Sequence, residues 1–311
     1  MGLEGEIERL GAELGLDQVG FCKVEPAAGL DHYRSWLKSG FHADMDYLDR
    51  SRSIKANPTN LLPGARSIIA VAQNYYQDVP DEAPRIARYA IGRDYHKVLR
   101  GKLKRLSQPL LDAGHHVRAC VDSAPILERE YAHMAGLGWF GKNTMLINSK
   151  RGSWFFIGLV LTDADLETSK PALGGCGTCR ECINACPTGA IVQLNGRWSV
   201  DSRLCLSYQT IENADPMLAE LSAKSQGWVF GCDICQEVCP FNHPRPTQPQ
   251  RATRTQEADF LTSRSTPSLP ELATMDQGTW DDWTRGRALR RANVDKWRST
   301  TQALLQTTDG E

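Results

Sequence analysis

The chain has 311 residues, 41 % of them hydrophobic, and its 36 Lys and Arg against 37 Asp and Glu give a formal charge of −1. That length exceeds a single small ferredoxin and suits a core domain with appended modules. The balanced charge excludes a globally basic nucleic-acid-binding protein and leaves only local patches for such a role.

Residues 1–16 (MGLEGEIERLGAELGL) read as an amphipathic helix without the apolar core of a signal peptide. The longest apolar run, Trp154 to Leu161, is too short to cross a bilayer. A cytoplasmic chain with no membrane association is therefore expected. Leu14–Val24 passes from a helix end into a short strand, and Leu30–Asp49 reads as a helix. Ser67–Gln73 (SIIAVAQ) is apolar on both faces, as a buried strand should be. Tyr95–Ala113 is a long basic helix with Leu99, Leu103, Leu106 and Leu110 at helical spacing. Val117–Val121 reads as a strand and about Pro125–Ala135 as a helix, while Met145–Ile147 and Trp154–Leu161 read as strands joined by SKRG. Leu166–Gly175 is a linker, and the proline-rich FNHPRPTQPQ after Cys239 cannot be regular helix. Helical patches at Leu269–Met275 and Trp280–Gln306 end the chain.

Eight of the ten cysteines fall between Cys176 and Cys239. Without an export signal, such crowding favours metal ligation over disulfides. Cys22 and Cys120 stand apart in strand-like settings and read as core residues. Cys176, Cys179, Cys182 and Cys186-Pro187 spell C-x2-C-x2-C-x3-C-P, in which the first three wrap one 4Fe–4S cluster and the fourth reaches another. A second run, Cys232, Cys235 and Cys239-Pro240, has Val229 where its first cysteine would stand. Cross-ligation then assigns Cys176, Cys179, Cys182 and Cys239 to one cluster, and Cys186, Cys232 and Cys235 to the other. Cys205, the remaining cysteine of the stretch, completes the second set. Structural zinc is the bland alternative, but zinc sites seldom run three cysteines at this spacing into C-P.

Four further stretches are not generic ferredoxin: Tyr89–His96 (YAIGRDYH), Val121–Arg129 (VDSAPILER), Gly136–Asn143 (GLGWFGKN) and Gly189-Ala190-Ile191 after the first cysteine run. With the isolated Cys205 in RLCLSY, their order over residues 10 to 240 closely resembles the epoxyqueuosine reductases. The resemblance implies a cobalamin-dependent reductase, related in architecture to the reductive dehalogenases, that removes the epoxide oxygen of epoxyqueuosine in a tRNA anticodon loop. It implies an N-terminal cobalamin domain fed one electron at a time by the clusters, with Asp122 as proton donor. It also implies cobalamin contacts at Lys55, Ala87, Leu146 and Ile157, with the loops at Ser207 and Asp233 facing the corrin from the cluster side. The D-x-H-x-x-G corrin motif begins at Asp94-Tyr95-His96 but has Leu99 in place of its glycine, so no histidine on that pattern is expected to bind the corrin.

Each residue has a plainer reading. Asp122 or Ser123, before Pro125 and Glu128, could simply cap a helix. As a donor, Asp122 would need its pKa raised by burial or by negative neighbours. Lys142 is a candidate donor to substrate or corrin amides, or a solvated turn residue. For tRNA, two basic stretches offer phosphate contacts: Lys97, Arg100, Lys102, Lys104 and Arg105, and the denser Arg285, Arg287, Arg290, Arg291, Lys296 and Arg298. The second is favoured, with Arg290 and Arg291 as substrate contacts.

The expectation is an α+β protein with an α/β cobalamin-binding catalytic domain (1–165), a ferredoxin-type domain with two 4Fe–4S clusters (166–245) and a C-terminal irregular and helical segment (246–311). That segment stands where longer relatives continue into HEAT-like repeats. A monomer supplied by an external low-potential electron donor is expected. The rival readings are another corrinoid reductase, dehalogenase-like and acting on a small molecule, and a plain electron-transfer ferredoxin.

Overall fold

The computed structural model describes residues 2–82, 84–261 and 264–308. Its central sheet has four strands, in the spatial order Gln18–Lys23, Ser67–Asn74, Phe155–Thr162, Val117–Cys120. Helices and strands alternate along this part of the chain, yet every pairing in the sheet is antiparallel, so the expected α/β alternation builds no parallel sheet. Ser67–Asn74 lies inside the sheet, which is why its sequence is apolar on both faces. Successive side chains point to opposite faces. Ile69 and Val71 therefore join Phe21 and Val160 in one core, while Ile68, Ala70 and Ala72 join Cys22, Leu159 and Leu161 in another. The helices Leu3–Glu13 and Tyr95–Leu106 cover the first core through Ile7, Leu99, Leu103 and Leu106. The helix Glu128–Met134 covers the second through Tyr131 and Ala132. Cys22 and Cys120 are core residues, their thiols pushed up to about 12 and about 11, chiefly by burial.

Three helices expected in the first 165 residues are shorter or broken. The one expected over 30–49 ends at Lys38, because Gly40 and Ala43 adopt positive φ (69° and 55°); the chain resumes as Asp46–Arg50 and Arg52–Lys55. The basic helix stops at Leu106 and restarts as Gln108–Asp112, since Pro109 has no N–H and its ring would strike the carbonyl of Arg105. The helix expected from Pro125 begins at Glu128, leaving Val121–Leu127 as a loop. Leu99 is fully buried against the sheet, and Asp94 caps the helix start by accepting the His96 N–H at 3.0 Å. The Asp94-Tyr95-His96 string is thus a helix entry, and a glycine at 99 would leave a hole in the core.

The cysteine-rich stretch holds the hairpin Ile191–Leu194 and Arg197–Val200 and four short helices, Glu181–Ala185, Leu206–Ile211, Ala219–Ser222 and Ile234–Glu237. Its strand Trp228–Phe230 pairs parallel with Arg85–Ile86 of the N-terminal part. The C-terminal helices Leu269–Thr274, Gln277–Thr284 and Val294–Thr308 cover that junction. Ile86, Ala90, Val229 and Phe230 share a third core with Leu272, Leu289 and Trp297, and the Phe230 and Trp297 rings stack at 5.3 Å. The helix expected over 280–306 is interrupted where Gly286 turns at φ 75°. Residues 251–261 run back across the N-terminal part, where Thr255 N–H donates to Tyr76 O at 2.7 Å and Phe260 enters the first core. Among the described residues no helix is long and apolar enough to cross a membrane.

Candidate functional site

A cleft of about 560 Å³ opens between the N-terminal part and the Arg197–Val200 strand of the cysteine-rich stretch. Tyr33, Trp36, Phe140 and Trp198 line it with aromatic surface, and Lys55, Asp122, Glu128 and Arg129 add charge. Asp122 sits just past the end of the edge strand Val117–Cys120, at φ 53°, and its side chain is 60 % exposed. Thr144, across the cleft, also holds a left-handed φ of 64°. Non-glycine residues in this region are strained and persist only when surrounding contacts over-determine them.

The contacts are explicit. The Tyr95 hydroxyl donates to Asp122 Oδ2 at 2.8 Å, and His96 Nε2 lies 3.1 Å from the same oxygen. His96 Nδ1 lies 2.8 Å from Asp94 Oδ1, so the imidazole bridges two carboxylates. Burial would push the His96 imidazolium down, but its hydrogen bonds to Asp122 and Asp94 and their charges outweigh it and hold the pKa at about 9. Burial likewise pushes Asp122 up, yet the hydrogen bonds from His96 and Tyr95 bring its carboxyl below the usual range. These directions place the proton on His96 and leave Asp122 ionised in the open cleft, so the raised pKa that a donor needs is not present there. Glu128, whose Oε1 accepts the Asp122 backbone N–H at 2.5 Å, is pushed up to about 8 by burial and then by the Asp122 charge. Three titratable groups in a row of contacts, His96, Asp122 and Glu128, are thus drawn apart, as in sites that move protons.

Several of the eight cysteines lie close enough for their charges to act on one another. Burial pushes the Cys182 thiol up to about 11, and the charges of Cys176, Cys239 and Cys179 add to it. Burial also raises Cys232, with Cys205 and Cys186 among its charged neighbours, and Cys235, with Cys232 and Cys205. Trp139 and Ile147 pack with Cys239 and Cys176, and Leu206, Met217 and Leu221 pack with Cys232. Ala190 N–H points at Cys186 Sγ at 3.3 Å. The indole N–H groups of Trp139 and Trp228 are buried without a partner among the described residues, each in an apolar cluster that includes at least one of these cysteines. Sulfur acceptors suit such donors, so the surroundings fit iron–sulfur clusters.

The other expected contacts divide. Lys55 is buried at the cleft, donating to the Tyr33 hydroxyl at 3.0 Å with its ammonium 5.0 Å from that ring; burial lowers its pKa. Aromatic walls with such donors fit a broad apolar macrocycle fringed with amides. Ala87 and Leu146 are buried core residues, and Ile157 and Ser207 are half-buried outside the cleft lining. Asp233 is buried and engaged by Arg88, through its backbone N–H at 2.8 Å and its guanidinium at 3.3 Å. Lys142 does not point into the cleft: its ammonium donates to the carbonyls of Gly177 and Cys179 at 2.8 and 2.7 Å. Beside it, Asn143 donates to the Cys235 carbonyl at 3.1 Å, so the GKN string ties down a loop of each cysteine set. Sequence reasoning missed this tether. Its signal was the glycines: a Cβ at Gly138 would lie 2.5 Å from the Ile147 carbonyl, and one at Gly141 would lie 2.6 Å from Asn143 Oδ1.

The two basic stretches reverse their expected order. In the C-terminal one, Arg287 and Lys296 are buried, Arg290 pairs with Asp281, and Arg291 makes two hydrogen bonds to Glu212 at 2.7 and 2.6 Å. Arg285 and Arg298 pair with Asp282 and Asp295. On the helix Tyr95–Leu106, Lys102 pairs with Glu257 while Lys97, Arg100, Lys104 and Arg105 stay exposed. Arg100 also donates to Ser123 Oγ at 2.8 Å, beside Asp122.

Comparison with known proteins places this geometry. Residues 175–242 match the 4Fe-4S double cluster binding domain, and residues 55–123 match the family described as Epoxyqueuosine reductase QueG, DUF1730. The chain is 39 % identical over 311 residues to an epoxyqueuosine reductase of Gloeobacter violaceus, covering 96 % of this chain and 95 % of that one. With the Escherichia coli epoxyqueuosine reductase it shares 37 % over 310 residues, covering 95 % and 78 %. Among solved structures, a Bacillus subtilis epoxyqueuosine reductase with its catalytic aspartate loop swung out of the active site superposes with a TM-score of 0.80 at 26 % identity, covering 97 % and 81 %. An epoxyqueuosine reductase with an epoxyqueuosine-modified tRNA-Tyr stem loop gives 0.79 at 25 %, covering 97 % and 80 %. A double-cluster stretch joined to a cleft of carboxylates, with relatives this similar over nearly its whole length, means that the chain belongs to the epoxyqueuosine reductase family of oxidoreductases.

Proposed function

We propose that the chain reduces epoxyqueuosine to queuosine within the anticodon loop of tRNA, with Asp122 as its acid. The observation that carries this is the Tyr95–His96–Asp122 constellation, whose Asp122 lines a cleft that residues 197–200 of the double-cluster stretch help to wall. Converting the epoxide to an alkene takes two electrons and two protons and releases water. Cobalamin, when bound, would supply the strongly reducing cobalt that engages the epoxide, with electrons relayed singly from an external donor through the clusters. In this reading Cys176, Cys179, Cys182 and Cys239 hold one cluster and Cys186, Cys205, Cys232 and Cys235 the other.

The chain's own residues handle binding and protons. Lys55 and the aromatic walls seat the corrin between the catalytic domain (1–165) and the cluster domain (166–245). His96 holds a proton at neutral pH. When ligands expel water from the cleft, charge there becomes more costly, and the proton moves from His96 to Asp122. Asp122 then delivers it to the departing oxygen, which would otherwise leave as a bare oxyanion. The exposed cations of the basic helix neutralise phosphates of the anticodon arm. The test is anaerobic reconstitution with iron, sulfide and cobalamin, followed by incubation with an epoxyqueuosine-bearing stem loop and a low-potential reductant. Queuosine appearing only with cobalamin present supports the reading; no binding and no turnover would sink it.

A further inference from the structure

The loop carrying Asp122 is short of internal support. Between the end of the strand at Cys120 and the helix starting at Glu128, Ser123 N–H reaches the Val121 carbonyl at 2.6 Å and Ile126 N–H reaches the Ala124 carbonyl at 2.8 Å. Those bonds curl the loop without fixing the peptide before Asp122. That peptide is the strained one, since Asp122 stands at φ 53° in the left-handed region. Its N–H is taken up by Glu128 Oε1 at 2.5 Å. Glu128 opens a helix whose neighbouring Tyr131 is fully buried in the second core, so the acceptor rides on a rigid mount. The next residue, Arg129, donates to the Thr144 carbonyl at 2.5 Å and ties the same mount to a second segment of the cleft lining.

We propose that Glu128 is the positioning residue of the catalytic loop: its carboxyl holds the Asp122 amide and thereby keeps the left-handed peptide that aims the Asp122 carboxylate at Tyr95 and His96. The inference rests on Asp122 being the acid of the reaction. Acceptance of one N–H is the whole of the role, so any side chain of the same reach with an oxygen acceptor will serve. Loss of the acceptor lets the peptide relax to negative φ, and the carboxylate turns away from its partners.

The experiment compares Glu128→Ala, Glu128→Gln and Glu128→Asp, the last one methylene too short and a reserve should alanine disturb the helix start. Hydrogen–deuterium exchange is first read over residues 121–127 in the protein without substrate. Ala and Asp should accelerate exchange there and Gln should not. Turnover of the epoxyqueuosine stem loop is then read. Ala should lower kcat by about 100-fold, the scale of a misplaced reacting group, with KM nearly unmoved, while Gln keeps most of the rate. In an Asp122→Asn background, Glu128→Ala should cost nothing further. If Gln is as slow as Ala, or if Ala costs as much in the Asp122→Asn background as in the wild type, the positioning role is wrong. Should wild-type protein fail to turn over the stem loop, the proposed function fails, and the exchange arm still decides this inference alone.

Discussion

The cleft and the cysteine-rich stretch treat their titratable groups in opposite ways. Around Asp122, hydrogen bonds overrule burial: the aspartate falls and His96 rises, so two ions face each other in a space open to water. Among the cysteines burial rules, and the thiols of Cys182, Cys232, Cys235 and Cys205 are all pushed up. The cleft is complete as a set of protein contacts before any ligand arrives. The cysteine-rich stretch is not, since indole donors of Trp139 and Trp228 lack acceptors there.

The sharpest way to break that contrast is to remove one ligand. Cys205→Ser should take iron from about eight to about four per chain, abolish turnover and leave one cluster signal in electron paramagnetic resonance; loss of both clusters or of neither would undo the division into two sets. Next comes Asp122→Asn, which keeps the shape but not the acid and should lower kcat by about 10²–10⁴-fold with full iron retained. A smaller effect concerns pH. The His96 pKa is raised to about 9, so its proton, and the stabilising pairing with Asp122 and Asp94, is present below that value and lost as pH rises through it. Turnover should therefore fall through pH ~9, and in His96→Gln this limb of the profile should vanish.

Lys142 links the two regions, and Lys142→Met removes a cation from beside Gly177 and Cys179. The neighbouring cluster should become harder to reduce, seen as a lower midpoint in a redox titration. The smallest expected effect is on RNA affinity. Lys104→Glu on the basic helix should flatten the log–log salt dependence of stem-loop binding by about 0.7–0.9, the share of a single neutralised phosphate. Arg290→Ala should leave the slope unchanged, because Arg290 is already paired with Asp281.

What the sequence disclosed and what it hid have physical causes. The double-cluster stretch was legible because its C-x2-C-x2-C-x3-C-P run has the spacing that wraps a cubane face. The central strand was legible because a run apolar on both faces can only be buried. The cleft was harder to read: Tyr95 and His96 meet Asp122 only because a helix entry and an edge-strand end lie side by side across the sheet. The carboxyl chemistry misled for the same reason, since the expectation of a raised Asp122 pKa had no way to include His96. Charge counting could not include the acidic partners of Arg290 and Arg291, since Asp281 and Glu212 lie 9 and 79 residues away.

The third core has a consequence for the birth of the protein. Ile86 and Ala90 wait for Phe230, and Phe230 waits for Trp297, near the end of the described chain. At a synthesis rate of ~5–20 residues per second, the stretch between residues 86 and 297 takes on the order of 10–40 s to emerge. Throughout that interval the backs of both neighbouring segments stay uncovered while the ribosome is still at work. Cells that need this reductase must therefore shelter a half-made chain, and a ribosome stalled in the last turn of the C-terminal helix would leave a protein with every cysteine in place and no lid over its seam.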